Sequence, residues 1–228
     1  MIGTATRLGS ALASLAMVST LCACGAGPVR PEDELYRDAS LAFEAENYNS
    51  SIEDYKKMLE EYPFSDKAET AGFNIAYAYY VTEQYPQAIE AFSDFERLYP
   101  VSPLLPFVSY TIGMCYLGQA KSDDRDPSAS EAALRQFERL SQQFPKSIYA
   151  DLARYRAQEA RENLALHELV VGDFYREKER DEAAAARYRF VLKTYPTTEA
   201  AARATQRLNE ITANPSPPPK APEDPKGS

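Results

Sequence analysis

Apolar positions along the chain follow a helical spacing that ends at a proline and then recurs. In residues 85–102, Ala88, Phe92 and Phe95 are separated by four and then three residues, and Pro100 follows. This spacing places the three side chains on one face of a helix that the proline cannot continue. The other copies have these anchors: Ser51, Tyr55, Met58, Pro63; Ala133, Phe137, Leu140, Pro145; and Ala184, Tyr188, Val191, Pro196. The chain therefore carries four copies of one helical unit.

Each copy ends in an aromatic residue and a proline, with a hydroxyl residue two positions later. The hydroxyl residues are Ser65, Ser102, Ser147 and Thr198. A hydroxyl at that position can cap the helix that follows. An alanine, an aromatic residue and a proline at these offsets form the second half of the tetratricopeptide pattern. The sequence predicts an all-α fold, a tetratricopeptide-like repeat superhelix of about four repeats plus a C-terminal capping helix.

The repeat register predicts where the helices lie. The predicted helices cover residues 32–46, 49–61, 65–82 and 104–120, with further second helices starting at Tyr85 and Ser130. An insertion, residues 121–128, lengthens repeat three. The last interval between prolines is 51 residues, so a surplus of 17 precedes repeat four. Because the surplus has helical spacing and no Pro or Gly, residues 147–178 are predicted to form one long or gently broken helix.

The chain ends are predicted to lie outside the repeats. A short helix at residues 199–211 caps the stack, so the repeat domain covers residues 32–212. The proline-rich segment 213–228 is predicted to be a disordered tail. At the other end, residues 1–23 have the short apolar run of a signal peptide, and residues 24–31 form a tether.

The signal peptide ends in Leu21-Cys22-Ala23-Cys24, which resembles a bacterial lipobox with Cys24 as the acylated residue. The alternative is an ordinary signal peptide cleaved near Ala23 or Ala26. Gly25 rather than an aspartate follows the cysteine, which favours the outer membrane. The predicted location is therefore the outer membrane, lipid-anchored and facing the periplasm. The remaining Cys115 lies in an apolar helical run and is predicted to be a buried structural thiol.

Composition and motifs argue against catalysis and nucleic-acid binding. The formal net charge is −9 and the pI about 4.8, whereas phosphate partners favour a basic surface. The sequence has no zinc-protease motif, glycine-rich phosphate loop or nucleophile elbow. His167 is the single histidine, so no histidine pair can hold a metal. The sequence predicts a protein that is not an enzyme and uses no cofactor and no metal.

The first helix of each pair is expected to line the concave side of the array. Counting from the anchors, the inward positions are Tyr36, Ser40, Phe43, Phe73, Tyr77, Tyr80, Phe107, Tyr110 and Met114. An aromatic-lined groove suits adaptable peptide recognition, because tyrosine combines an apolar body with a hydrogen-bonding tip. The alternative is that several of these side chains merely pack between helices.

The chain resembles the BamD family, also called ComL, of outer-membrane assembly lipoproteins. The resemblance is carried by residues 98–103, residues 110–113, the insertion 122–127, the surplus before repeat four and Asp173-Phe174-Tyr175. It covers residues 24–211. Family members commonly close with a full fifth helix pair, whereas this chain stops after its first helix, which puts in doubt contacts made through the last helix.

The resemblance implies a scaffold subunit of the β-barrel assembly (BAM) complex. Its groove would receive the aromatic-ended signals of unfolded outer-membrane proteins, and its C-terminal half would dock the barrel protein BamA. Arg187 matches an arginine implicated in that docking, and Arg161 and Arg154 are further candidates. Arginine makes bidentate pairs with acidic groups, though each of these could instead pair with a nearby glutamate. Other lipoproteins of the complex are expected partners.

Two other functions compete with this one. One is a different tetratricopeptide lipoprotein that serves envelope division or polysaccharide export, against which the insertion and the extra helical segment count. The other is an enzyme such as a peptidoglycan hydrolase, which would need a catalytic acid buried in a cleft.

Overall fold

The computed structural model describes residues 29–122 and 126–217. Within those ranges the chain forms nine α-helices and no strand. The helices are α1 (Glu32–Glu44), α2 (Tyr48–Glu61), α3 (Ala68–Val81), α4 (Tyr85–Leu98), α5 (Leu105–Ser122), α6 (Ser128–Gln143), α7 (Ile148–Glu177), α8 (Asp181–Thr194) and α9 (Glu199–Ala213). The all-α prediction is confirmed. The predicted signal peptide, Cys24 and most of the proline-rich tail lie outside the described residues.

Successive helices pack as pairs, and the repeat anchors form the core between them. Ala88 and Phe92 are fully buried and Phe95 is 2% exposed. The anchors of the other three repeats are buried in the same way, which confirms the tetratricopeptide-like arrangement. Repeat one, with serine in the alanine position, buries the Ser51 hydroxyl without a hydrogen-bond partner among the described residues.

The ends of the second helices follow the predicted chemistry. The residue after each helix is the aromatic of the repeat: Tyr62, Tyr99, Phe144 and Tyr195. The hydroxyl residue caps the next helix in two of the four copies, at α7 and α9. Ser147 Oγ accepts a hydrogen bond from the Tyr149 amide at 3.2 Å, and Thr198 Oγ1 accepts one from the Ala201 amide at 3.2 Å. These caps satisfy amides that have no partner inside the helix.

The turns within repeats one, two and four share an unusual backbone. Glu46, Glu83 and Glu179 adopt positive φ angles of 58°, 59° and 57°. In repeat two the Gln84 amide donates to the Tyr79 carbonyl at 2.9 Å, which closes the helix in the manner of a Schellman motif. Glycine usually occupies such a position, because a side chain there is strained by about 1–2 kcal/mol.

Close approach of paired helices depends on small residues. A Cβ on Gly113 would lie 2.4 Å from Phe137 Cε1, and one on Gly172 would lie 2.4 Å from Tyr188 Cε1. Both distances are far inside van der Waals contact. In repeats three and four, glycine therefore makes room for the large anchor of the facing helix.

The 17 surplus residues lengthen α7, which is one unbroken helix of 30 residues as predicted. Its first half packs Ala153, Ala157 and Ala160 into the core shared with α6. Its second half packs Ala165 and Leu169 into the core shared with α8 and α9. One helix thus serves two neighbouring layers.

The segment after α9 folds back onto repeat four. Arg176 Nη2 donates to the Asn214 carbonyl at 2.6 Å, and the Ser216 amide donates to Asp181 Oδ2 at 2.6 Å. Arg176 also pairs with Asp181. We call this group, residues Arg176, Asp181, Asn214 and Ser216, the C-terminal clip. The predicted tail at 213–228 thus begins with Ala213 inside α9 and two residues held by hydrogen bonds.

None of the described helices combines the length and the apolar character needed to cross a membrane.

Candidate functional site

A continuous group of aromatic rings follows the first helices of the pairs. Its members, which we call the aromatic row, are Phe43, Phe73, Tyr77, Tyr80, Phe107, Tyr110 and Tyr149. They come from α1, α3, α5 and the start of α7, and each is half-buried. All the predicted groove aromatics except Tyr36 belong to it.

Tyr77 lies at the centre of the row. Its ring centroid is 6.2 Å from that of Phe43, 6.0 Å from that of Phe73 and 6.1 Å from that of Phe107. The contact with Phe43 links α1 to α3, and the contact with Phe107 links α3 to α5. Rings at these separations attract one another. Phe43, Phe73 and Tyr77 also pack against the buried cores of repeats one and two.

The row continues onto α7 through Tyr149, which sequence reasoning missed. Tyr149 lies 5.4 Å from Phe107 and 5.8 Å from Tyr110 between ring centroids. The groove positions were counted within three repeats, and the surplus at the start of α7 stood outside that count. Its position in the sequence could have indicated this role, because Tyr149 lies two residues after the predicted cap Ser147, in the first turn of a first helix.

The other predicted groove positions, Tyr36, Ser40 and Met114, make contacts outside the aromatic row. Tyr36 lies outside the row, 5.8 Å from Tyr55 between centroids, with Lys67 Nζ 5.7 Å from its ring centre. Ser40 Oγ donates to the Tyr36 carbonyl at 2.8 Å. Met114 packs against the core of repeat three and lines a cleft of about 460 Å³ beside Tyr80.

Polar groups mark the edge of the row. Burial raises the pKa of the Tyr80 hydroxyl, so this group stays protonated and can donate a hydrogen bond. At the α7 end, hydrogen bonds to Tyr110 and Glu159 raise the pKa of the Arg156 guanidinium. Arg156 Nη1 lies 2.8 Å from Glu159 Oε2. The aromatic row therefore ends beside a permanently cationic side chain.

The arginines predicted to dock a partner all make ion pairs within the chain. Arg187 Nη1 on α8 lies 3.0 Å from Glu168 Oε2 on α7, and the arginine side chain is 44% exposed. Arg161 Nη2 lies 2.8 Å from Glu138 Oε1 on α6. Arg154 pairs with Asp151 one turn before it. Each side chain thus has a local partner, and the three do not share one.

The described residues contain no group of His, Cys, Asp and Glu arranged to hold a metal ion. Cys115 is fully buried, and burial raises the pKa of its thiol to about 12. A thiol with such a pKa is protonated near neutral pH and is a poor nucleophile. The prediction of a buried structural cysteine is confirmed.

Comparison with known proteins identifies relatives along most of the chain. Residues 28–217 match the family model of YfiO, described as an outer membrane lipoprotein. The outer membrane protein assembly factor BamD of Vibrio cholerae is 30% identical over 209 residues, covering 86% of this chain and 87% of that protein. BamD of Caulobacter vibrioides is 28% identical over 181 residues, covering 79% of this chain and 59% of that protein.

Among solved structures, a thermophilic tetratricopeptide protein from Thermus thermophilus aligns with 78% of this chain and all of its own. The TM-score is 0.40 at 15% identity.

Proposed function

The chain belongs to the YfiO family of outer membrane lipoproteins, and from that premise we propose that it is a non-enzymatic scaffold in outer membrane protein assembly. Its aromatic row binds unfolded barrel proteins, and its C-terminal half, with Arg187, binds a BamA-like barrel protein. Acylation at Cys24 holds it on the periplasmic face of the outer membrane. Recognition alone drives this function, so no cofactor is required.

The observation that carries the proposal is the aromatic row. Phe73, Tyr77 and Phe107 are half-buried aromatic side chains on the first helices of repeats two and three. Aliphatic side chains at these positions could have completed a compact core. Aromatic side chains give a large contact area at low entropic cost, and tyrosine hydroxyls adapt to different backbones. Strands of barrel proteins alternate apolar and polar residues, so an extended segment presents one apolar face to such a row.

The row ends beside Arg156, and this side chain gives the row a preference for peptides that end in a free C-terminal carboxylate there. A guanidinium pairs well with a carboxylate. A peptide ending in an aromatic residue would place its ring on Tyr110 and Tyr149 and its terminal carboxylate near Arg156. This arrangement fits aromatic-ended barrel segments better than internal ones.

Peptide binding tests the substrate half of the proposal. A labelled peptide ending in a free phenylalanine carboxylate should bind about tenfold more weakly to Tyr77→Ala, because a central ring is lost. Tyr36→Ala removes an equally half-buried tyrosine outside the row and should bind like the unchanged protein. The amidated peptide should bind more weakly than the free acid. Equal affinity for Tyr77→Ala and the unchanged protein, with both folded by circular dichroism, would overturn this half.

Purification of the tagged protein from native outer membranes tests the partner half. The unchanged chain should bring down a barrel protein carrying periplasmic domains, and Arg187→Glu should lose it, since the new carboxylate repels an acidic partner. Arg139→Glu is the matched control, because Arg139 on α6 is also 44% exposed and lies 2.7 Å from Glu96 Oε2 on α4. Recovery of the barrel protein with Arg187→Glu, or recovery of division or polysaccharide-export proteins instead, would reject the proposed docking site.

A further inference from the structure

The loops between helix pairs differ along one edge of the stack. Because successive helices run antiparallel, these loops lie at the edge where α1 begins. In the first two loops the residue after the proline is apolar and almost fully exposed, with Phe64 at 99% and Val101 at 94%. The third and fourth loops carry Lys146 and Thr197 at this position. Among these four loops the residue after the proline is thus apolar in the first two, while beside the third loop Ile148, the first residue of α7, is 70% exposed.

Phe64 shares a cleft with other exposed apolar residues, and Val101 lies in the next loop on the same edge. Phe64 lines a cleft of about 800 Å³ between α2, α3 and α4, together with Pro63 and Leu98. Leu98 is 58% exposed, and Val101 follows it by three residues. We call Pro63, Phe64, Leu98 and Val101 the apolar edge. Exposed apolar residues grouped on one edge mark a contact surface.

The start of the folded chain is bonded to the same edge. Ser65 Oγ, next to Phe64, donates to Glu32 Oε1 at 2.6 Å. Lys67 Nζ lies 2.6 Å from Asp33 Oδ1 and 3.1 Å from Glu32 Oε1. These contacts fix the first turn of α1 against the loop that carries Phe64.

The number of residues between Cys24 and α1 limits how far this edge can lie from the membrane. Cys24 precedes Glu32 by eight residues, which span at most about 28 Å when fully extended. A lipid on Cys24 therefore limits the distance between the bilayer surface and the first turn of α1 to about 28 Å.

We propose that the apolar edge is a lipid-contacting surface that inserts Phe64 and Val101 into the bilayer interface beside the acyl anchor. The inference rests on the proposed acylation of Cys24. Aromatic and aliphatic side chains partition into the interfacial region of a bilayer, so the edge adds a second contact to the one that the acylated Cys24 makes. Glu32, Asp33 and Asp66 flank the edge, so its binding does not depend on anionic lipid. The edge orients the stack on the membrane.

Tryptophan fluorescence tests the proposal, because the chain contains no tryptophan of its own. Phe64→Trp and Val101→Trp place a probe at the edge. Leu41→Trp is the control, since Leu41 is 57% exposed but lies in the last turn of α1, at the opposite edge. The full-length acylated proteins are reconstituted with vesicles of phosphatidylethanolamine and phosphatidylcholine whose acyl chains are brominated. Flotation of the vesicles measures anchoring separately.

The expected result is flotation of all three proteins, with quenching by the brominated lipid about threefold stronger at positions 64 and 101 than at 41. Flotation with equal quenching at the three positions would overturn the proposal and leave the anchor standing. Failure to float would reject the anchor and the proposal together. A tryptophan at position 64 that responds to an added barrel protein but not to lipid would assign the edge to a protein partner and overturn the proposal.

Discussion

Repeat two (α3 and α4) and repeat four (α7 and α8) share a buried framework and differ in what covers their first helix. In repeat two, Ala88 and Phe92 are fully buried at the spacing where repeat four buries Ala184 and Tyr188. The turns also match, since Glu83 and Glu179 have nearly the same positive φ, and a tyrosine directly follows both second helices. The repeat thus sets the core, the turn and the helix end.

The difference lies on the first helices. Half-buried rings of the aromatic row lie on α3. The helix α7 instead receives polar partners from α9 and from the segment that follows α9. Arg207 Nε lies 3.1 Å from Asp173 Oδ1, and Arg176 donates a hydrogen bond to the Asn214 carbonyl. The same framework therefore carries an aromatic row at one end, and ion pairs and hydrogen bonds to α9 and the following segment at the other. These differences lie at positions that the repeat does not determine.

The largest expected effect on stability comes from replacing Gly172 in repeat four by alanine, the residue that repeat two has at the equivalent position. Gly172→Ala places a Cβ 2.4 Å from the Tyr188 ring, whereas repeat two has Ala76 in this position. The backbones must separate or Tyr188 must leave its position, which should lower the free energy of unfolding by about 3 kcal/mol. Urea denaturation measures it.

Gly72→Ala is the matched control for that change. A Cβ on Gly72 would have its nearest neighbour at 3.9 Å, so alanine fits and should stabilise α3 by up to about 1 kcal/mol. Equal stability of Gly172→Ala and the unchanged chain would mean that the two repeats pack alike after all.

The second prediction removes a polar contact found in repeat four, where repeat two has phenylalanine. Tyr188 Oη donates to Asp173 Oδ1 at 2.7 Å, and Phe92 occupies the equivalent anchor. Tyr188→Phe keeps the ring and loses a hydrogen bond to a charged acceptor, which should cost about 1.5 kcal/mol. Asp173→Asn should weaken the same contact, and the double variant should cost less than the sum. Additive costs would show that the two groups act independently.

These comparisons also show which parts of the molecule the sequence predicts. The anchors, helix ends and the length of α7 follow from local rules, because helical spacing, proline and hydroxyl caps act within a few residues. Predicted helix starts therefore lie within three residues of the observed ones. The aromatic row was largely predicted because it keeps the repeat register.

Contacts between distant segments were not predictable in this way. Tyr149 joins the row through packing of α5 against α7, and Ser216 reaches Asp181 across 35 residues. The pairing of Arg187 with Glu168 depends on how α8 lies against α7. No local pattern encodes these distances, so the sequence supplied candidate residues without their partners.

The third prediction tests whether the shared turn is equivalent in both repeats. Glu83→Gly and Glu179→Gly should each stabilise the protein by about 0.5–1 kcal/mol, since relief of the left-handed strain exceeds the added entropy of glycine in the unfolded chain. Both side chains are exposed, so little contact is lost. Glu60→Gly, at an exposed site inside α2, should instead destabilise by about 1 kcal/mol. Stabilisation in only one repeat would show that the turns differ.

The smallest expected effect is the pH response of the C-terminal clip, which repeat two lacks. The Ser216 amide, followed by the Arg176 guanidinium, holds the pKa of Asp181 below its usual range. A lowered pKa in the folded state gives stability that is present above the unfolded value of about 3.9 and is lost as the pH falls through the folded pKa. As the pH falls through the folded pKa of Asp181, the clip should open before the helices unfold.

Amide resonances in a nuclear magnetic resonance titration measure this opening, because the Ser216 amide loses its carboxylate acceptor and moves towards its solvent-exposed shift. The Gln84 amide donates to the Tyr79 carbonyl, which does not titrate, so repeat two supplies a control within the same sample. Asp181→Asn should show the open Ser216 signal with no pH dependence from residue 181. If the Ser216 and Gln84 amides moved together, acid would be loosening the whole stack. The C-terminal clip would then not open separately from the rest of the stack, and repeats two and four would not differ in their response to acid.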